Sequence, residues 1–251
     1  MLFILVQKRI MDIDYNQRWD QQKQSHSYHP SVRLRNRFIL KQLQRLSFVS
    51  LIDVWCGDGY LLSLIKNNFL HKHYAWIDIS DEIISQNTKK YPWIVFSKWD
   101  LWKKIEYIDV FYDVVVCSEV IEHISDWKQV IENLAALVAK KWYLLLTTQS
   151  GKRYKSDMNI WHLKHFTLSE LEKECAIYWL QVIQSYKKGY PFYNLQKRLY
   201  EKIEKKAKKI QQSKITFFGK LLFTLTYYLF LLSIRSKRLW PQIFMVLQKK
   251  S

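Results

Sequence analysis

A chain of 251 residues, 49% hydrophobic and 25% charged, has room for one α/β domain with an insertion, which excludes a disordered chain and two full enzymatic domains. Its three cysteines, Cys56, Cys117 and Cys175, lie in apolar segments without CxxC spacing, which excludes a zinc or disulfide framework and suits reduced thiols in a cytoplasmic setting. The formal charge of +18 is uneven: residues 195–251 hold 14 Lys and Arg against Glu201 and Glu204, a local balance of +12 that suits an anionic partner.

Residues 1–6 are too short for the apolar core of a signal segment, and Lys8 and Arg9 follow where a cleavage site would stand, so Met11 is an alternative start. Residues 12–46 are polar with helical spacing, broken at Tyr28-His29-Pro30. The run 48–54, ending in Asp53 and a tight turn, predicts a buried parallel strand, and Leu61, Leu64 and Ile65 predict a helix over 60–69. Strands are expected at 73–79, 93–98, 111–117 and 142–147, with helices at 81–90 and 126–139 between them. A helix at 168–176, a strand at 180–186 and a closing strand at 242–248 complete the pattern. Strands alternating with helices of this length predict a parallel, doubly wound sheet. The expected organisation is a helical segment (1–46), the sheet domain (47–188), an insertion (189–239) and the closing strand (240–251). Within the insertion a basic helix (195–210) precedes an apolar run (221–234) bracketed by Lys220 and Arg235. That run is short of the roughly 20 residues that span a bilayer, so an interfacial or cap helix is expected.

The decapeptide Leu51-Ile52-Asp53-Val54-Trp55-Cys56-Gly57-Asp58-Gly59-Tyr60 places two glycines in a strand-to-helix turn, where backbone must bend sharply and approach a ligand without a Cβ between. Asp78 follows Gly59 by 19 residues, the interval of a ribose-binding acid in a βαβ unit. Together with Trp76-Ile77-Asp78-Ile79-Ser80, Trp99-Asp100-Leu101, the stretch from Tyr112 to Ile124 and Tyr143-Leu144-Leu145-Leu146-Thr147-Thr148, the chain resembles the class I S-adenosylmethionine-dependent methyltransferases of types 11 and 23. The resemblance covers most of 48–187. It implies an α/β, Rossmann-like, seven-stranded and mostly parallel sheet with helices on both faces and a C-terminal helical insertion before the last strand. It also implies S-adenosyl-L-methionine as cofactor, with Asp53, Trp55, Gly57 and Gly59 in the loop, Asp78 and Ile79 at the ribose, Asp100 and Leu101 at the adenine, and Ser118 and Glu119 after the fourth strand. Trp55 departs from the family's first loop glycine.

Glu119, Glu122 and His123 are spaced to share one face of a helical turn. The favoured reading makes His123 and His162 the bases for an oxygen acceptor, without a metal. The alternative completes a divalent-metal site with His162 or His165, as in some relatives with a similar Glu-x-x-Glu-His. The expected acceptor is a small molecule, glycan or lipid-linked compound methylated on oxygen, with the enzyme cytoplasmic and peripheral on an anionic inner membrane face. A nucleic-acid acceptor, through an RNA methyltransferase activity, is the second choice. A non-catalytic cofactor-binding partner subunit is the third.

Glycine and tryptophan counts are anomalous. The chain has 5 Gly and 11 Trp, where average usage predicts about 18 Gly. Trp55, Trp76, Trp99, Trp142, Trp161, Trp179 and Trp240 are therefore candidates for UGA codons that the source organism reads as glycine, whereas Trp19 and Trp127 suit their contexts. The alternative is a protein genuinely rich in tryptophan.

Overall fold

The computed structural model describes residues 27–251 except 93, 106–108, 203–215 and 239–240. The parallel half of the sheet comprises β1 (Ser50–Val54), β2 (His73–Asp78), β3 (Val95–Lys98), β4 (Tyr112–Ser118) and β5 (Val138–Gln149). The antiparallel half comprises β6 (Leu180–Tyr190), β7 (Ile234–Ser236) and β8 (Gln242–Lys249). Their order is β3-β2-β1-β4-β5-β8-β6-β7, with β8 antiparallel to both β5 and β6. The described residues thus make eight strands, not the seven expected. The addition is β7, three residues long and paired to β6 at Lys187 and Tyr190. Three residues are too few for apolar alternation to register in sequence.

Several helices begin where a side chain accepts their orphaned backbone N–H groups. Helix α1 (Pro30–Leu43) starts on a proline at its first turn, and α2 (Tyr60–Asn68) follows Gly59 directly. Ser80 caps α3 (Asp81–Lys90), which carries Asp81 and Glu82 in its first turn and Lys89 and Lys90 in its last, as the helix dipole favours. Asp126 caps α4 (Trp127–Leu137), and a short α5 (Lys155–Asn159) precedes α6 (Leu168–Ile177), capped by Thr167. Beyond the sheet's sixth strand come α7 (Phe192–Lys202) and α8 (Phe217–Leu231). The expected basic helix coincides with α7 up to Lys202, and its remainder lies outside the described residues. The apolar run is helical from Phe217, because the Thr216 hydroxyl accepts the Gly219 N–H; the helix ends before Ile234, which joins β7.

Alternation along the strands builds a core on each face. Ile52, Val54, Val115, Cys117, Leu144 and Leu146 pack under α4 and α6 with Phe166 and Leu171. Leu51, Val114, Val116 and Leu145 face the other way, onto Leu34, Phe38 and Ile39 of α1 and Leu61 and Ile65 of α2. All three cysteines are buried and free. The crevice relevant to binding lies past the carboxyl ends of β1 and β4, where the strand order reverses direction.

Among the described residues, six other than glycine hold a left-handed backbone, and three of them are Trp55, Trp161 and Trp179. The others are His71, Glu119 and Lys141.

Candidate active site

The loop after β1 is tied down by its own neighbours. The backbone N–H of Trp55 donates to the Ile77 carbonyl at 2.7 Å, which joins the β1 and β2 ends. Gly57 and Gly59 both have positive φ, and a Cβ on Gly59 would stand 3.0 Å from the Tyr91 ring and 3.2 Å from Asn87 Oδ1. Asn87, buried on α3, donates to the Gly57 carbonyl at 2.9 Å. It is a loop-shaping residue that the sequence reading missed, although an asparagine on the inward face of a helix is the kind of signal that marks such a role.

Asp78 ends β2 with its carboxylate turned back to the loop. One oxygen accepts from Gly57 N at 3.1 Å and the other from Ser80 N at 3.0 Å. Each oxygen keeps lone-pair capacity for a second donor. Burial raises the Asp78 pKa, and these backbone bonds oppose the shift. Asp53, opposite Trp76 in the β1–β2 register, is raised to about 8, first by burial and then by the nearby Asp78 charge. Ile79 is half-buried beside it, and Leu101 is wholly buried. Asp100 meets Lys103 at 3.6 Å through one oxygen, while its other oxygen is buried with no hydrogen-bond partner among the described residues. The Trp55 indole packs edge-on to Trp102 at 5.8 Å, and its buried N–H likewise lacks a partner there.

Across the crevice, β4 and β5 carry a second polar group. The Ser118 and Thr147 hydroxyls are 2.9 Å apart, and Glu119 N donates to the Thr147 carbonyl at 3.0 Å. Glu119 receives the Gln149 amide and lies 3.5 Å from the Arg35 guanidinium, while its Oε1 is buried without a partner among the described residues. Glu122 is completely buried; it accepts the Thr148 hydroxyl at 2.7 Å on one oxygen and has no such partner on the other. Burial, reinforced by Glu119, pushes the Glu122 pKa up from the ordinary carboxylate range.

The histidines gather at one end of this group. His123 Nδ1 lies 3.3 Å from the Trp161 carbonyl, which can only accept, so Nδ1 carries the proton and the basic lone pair of the neutral ring is on Nε2. The His123 and His162 rings meet edge-to-face at 4.8 Å, and His162 Nδ1 is 3.0 Å from His165 Nε2. Burial lowers the His165 pKa, against the opposing pull of Asp157. Two overlapping sets, Glu122-His123-His162 and Asp157-His162-His165, each have ligand-type atoms within 4.8 Å of one another. The Lys197 ammonium already pairs with Asp157, which sets a positive charge against a cation at the second set. Gln149, Tyr193 and Lys197 were not anticipated from sequence. Tyr193 donates to Gln149 Oε1 at 3.1 Å, and both Tyr193 and Lys197 come from α7, inside the insertion.

The residues fit S-adenosylmethionine at three points: an acid at the β2 end, an unpartnered Asp100 oxygen, and glycines of positive φ in the loop. They misfit at one, the Trp55 indole. Comparisons with known proteins identify the family and the fold. Residues 24–186 match a family model described as a methyltransferase domain. A malonyl-acyl-carrier-protein O-methyltransferase of Bacillus anthracis is 27% identical over 107 residues, which span 41% of this chain and only 38% of that relative. A Galdieria sulphuraria protein assigned as a sarcosine dimethylglycine methyltransferase superposes with a TM-score of 0.60 at 12% identity, covering 86% of this chain and 84% of its own. The N-methyltransferase NodS of Bradyrhizobium japonicum, solved with S-adenosyl-L-homocysteine, gives 0.55 at 12% identity and covers 89% of both chains. At such identities the solved structures speak for the fold alone.

Proposed function

The chain belongs to the S-adenosylmethionine-dependent methyltransferases, and from that premise we propose that it methylates an oxygen of a small-molecule, glycan or lipid-linked acceptor at an anionic membrane surface. Asp53, Gly57, Gly59, Asp78, Ile79, Asp100, Leu101, Ser118 and Glu119 would hold the cofactor, with position 55 beside it. When bound, the cofactor supplies a methyl group on a sulfonium that is already a good leaving group. The chain's own task is then alignment, exclusion of water and acceptance of one proton. His123 Nε2 is the place for the acceptor's proton, since the Trp161 carbonyl fixes the ring tautomer, and His162 is the second candidate base. Gln149 and Tyr193 would orient the acceptor from the insertion side.

The observation that carries the membrane part is the outer face of α8. Phe218 (77% exposed), Leu221, Leu222 (62%), Leu225 (55%), Tyr228, Leu229 and Leu232 form one apolar stripe at helical spacing, while Tyr227 and Phe230 are buried against the domain. No Asp or Glu occurs after Glu204, and Lys220, Arg235, Lys237 and Arg238 stand within or just after the apolar run in sequence. Among the described residues, no helix is long and apolar enough to cross a membrane. A helix about 22 Å long, apolar outside and basic at its ends, suits the headgroup boundary. A nucleic-acid partner would use the lysines but has no use for the leucines.

Co-sedimentation with vesicles tests the reading. The protein is expected to bind phosphatidylglycerol-containing vesicles over pure phosphatidylcholine, and a Leu222→Ser, Leu225→Ser, Leu229→Ser variant to bind at least about tenfold less. Equal sedimentation with both vesicle types, before and after the changes, would make α8 a soluble cap. Salt-sensitive RNA binding that ignores the leucine changes would replace the membrane with RNA.

A further inference from the structure

Two independent observations, one of composition and one of backbone, meet at the tryptophans. The chain has 5 glycines, and four of them, Gly57, Gly59, Gly151 and Gly189, occupy positive φ. The fold uses left-handed turns freely and is short of the residue that makes them cheap. Tryptophan supplies 11 of 251 residues, yet among the described residues it takes three of the six left-handed positions not held by glycine. A bulky side chain at positive φ is a genuine outlier, and three in one chain on one residue type is not a packing preference. We infer that this protein's coding sequence uses UGA for glycine, and that positions 55, 161 and 179 are glycine in the functional chain.

Each of the three sites asks for glycine locally. Trp179 stands one residue past the C-cap of α6, at φ 62°, with its N–H donated to Ala176 O at 3.2 Å. That is the helix-ending position where a left-handed glycine is preferred. Its side chain is 67% exposed, so it contributes little by packing. Trp161 follows α5 at φ 59°, and its N–H donates to Met158 O at 3.0 Å in a turn that also places its carbonyl on His123. Trp55, at φ 61°, is fixed by its bond to Ile77 and sets a buried, unpartnered indole N–H in the loop between Asp53 and Gly57.

Trp127 behaves otherwise. It opens α4 in right-handed conformation, is 7% exposed, meets the Phe166 ring at 5.1 Å and receives the Lys164 ammonium 4.6 Å from its centroid. This is a tryptophan used as one. Composition alone, and not backbone, bears on Trp76, which is fully buried in β2, and on Trp142, where the left-handed residue is the preceding Lys141. Trp240 lies outside the described residues.

Reading the gene is the first test. UGA is expected at codons 55, 161 and 179, and UGG at 127; UGG at all four overturns the inference. The second test compares the parent chain, with tryptophan at these positions, with Trp55→Gly, Trp179→Gly and Trp127→Gly. Trp179→Gly is expected to raise the melting temperature and to leave S-adenosylhomocysteine affinity unchanged, while Trp127→Gly lowers the melting temperature. Trp55→Gly is expected to tighten S-adenosylhomocysteine binding in calorimetry by at least about tenfold, since the indole competes with the ligand for the loop. No melting-temperature gain at Trp179→Gly counts against the inference whatever the codons. The affinity arm rests on the loop being the cofactor cradle: UGA codons and a stabilising Trp179→Gly with no gain in affinity at Trp55→Gly would keep the recoding and overturn the cradle.

Discussion

At Asp53 a carboxyl group is closed in by β1, β2 and β4 with 3% exposure, and its pKa of about 8 has a direct consequence for stability. In the unfolded chain this acid ionises near 3.8, so the folded state binds the extra proton between the two values. Its contribution is therefore fully present below the unfolded value and is lost as pH rises toward 8. Asp53→Asn removes that dependence: its gain in melting temperature over the parent is expected to grow from pH 5 to pH 8, and a gain flat in pH would show that Asp53 ionises normally. Asp78 is tested through binding. Asp78→Ala is expected to weaken S-adenosylhomocysteine several-fold to a hundred-fold, because a charge-assisted hydrogen bond contributes about 1.5–3 kcal/mol; unchanged affinity would reduce Asp78 to a brace for Gly57 and Ser80. Full activity in excess chelator is expected, whereas loss that Mg²⁺ restores would make Glu122, His123 and His162 metal ligands. The acids were legible in sequence because each sits at a strand end marked by alternation. Gln149 was not, since it lies at the far end of β5 and gains meaning only when Glu119 and Tyr193 converge on it.

Elements were readable in proportion to their periodicity. The helix over Asp81–Lys90 coincides with its expected bounds, because Ser80 and the graded charges mark both ends. Strand β5 runs from Val138 to Gln149, well beyond the 142–147 expected, since pairing with β8 carries its end to Gln149 and pairing of Val138 with Tyr112 of β4 draws in its start. β6 likewise continues to Tyr190, where Gly189 makes the exit toward α7. At φ 117° a Cβ on Gly189 would lie 2.8 Å from Pro241 Cδ and 3.2 Å from Tyr193 Cβ. Gly189→Ala is thus expected to destabilise the fold by about 1–3 kcal/mol from backbone conformation, and by more if Pro241 cannot shift. Urea denaturation measures it. A loss under about 0.5 kcal/mol would mean that the β6 end relaxes freely, and would weaken the case that α7 is held rigidly enough for Tyr193 and Lys197 to line the site.

Over the whole molecule the two chemistries are separated along the sheet. The acids proposed for the cofactor lie at the carboxyl ends of β1 (Asp53) and β2 (Asp78) and just past β3 (Asp100), while residues after Glu204 carry only basic charge. On the proposed membrane reading, such a distribution would turn the basic C-terminal residues toward an anionic surface before contact. Attraction through exposed charge is screened over about 8 Å at physiological ionic strength, whereas burial of leucine and phenylalanine is not weakened by salt. The two contributions are therefore separable in one titration. For the parent chain, binding to anionic vesicles is expected to fall as salt rises and then to level off at a residual set by the α8 stripe. Each basic residue removed among Lys220, Arg235, Lys237 and Arg238 should lower the low-salt binding by up to about 1 kcal/mol and leave the plateau in place. The Leu222→Ser, Leu225→Ser, Leu229→Ser variant should abolish the plateau and keep the salt-dependent part. A parent curve that falls to zero without a plateau would show that the stripe never enters the bilayer, and that α8 faces the acceptor or another protein surface instead.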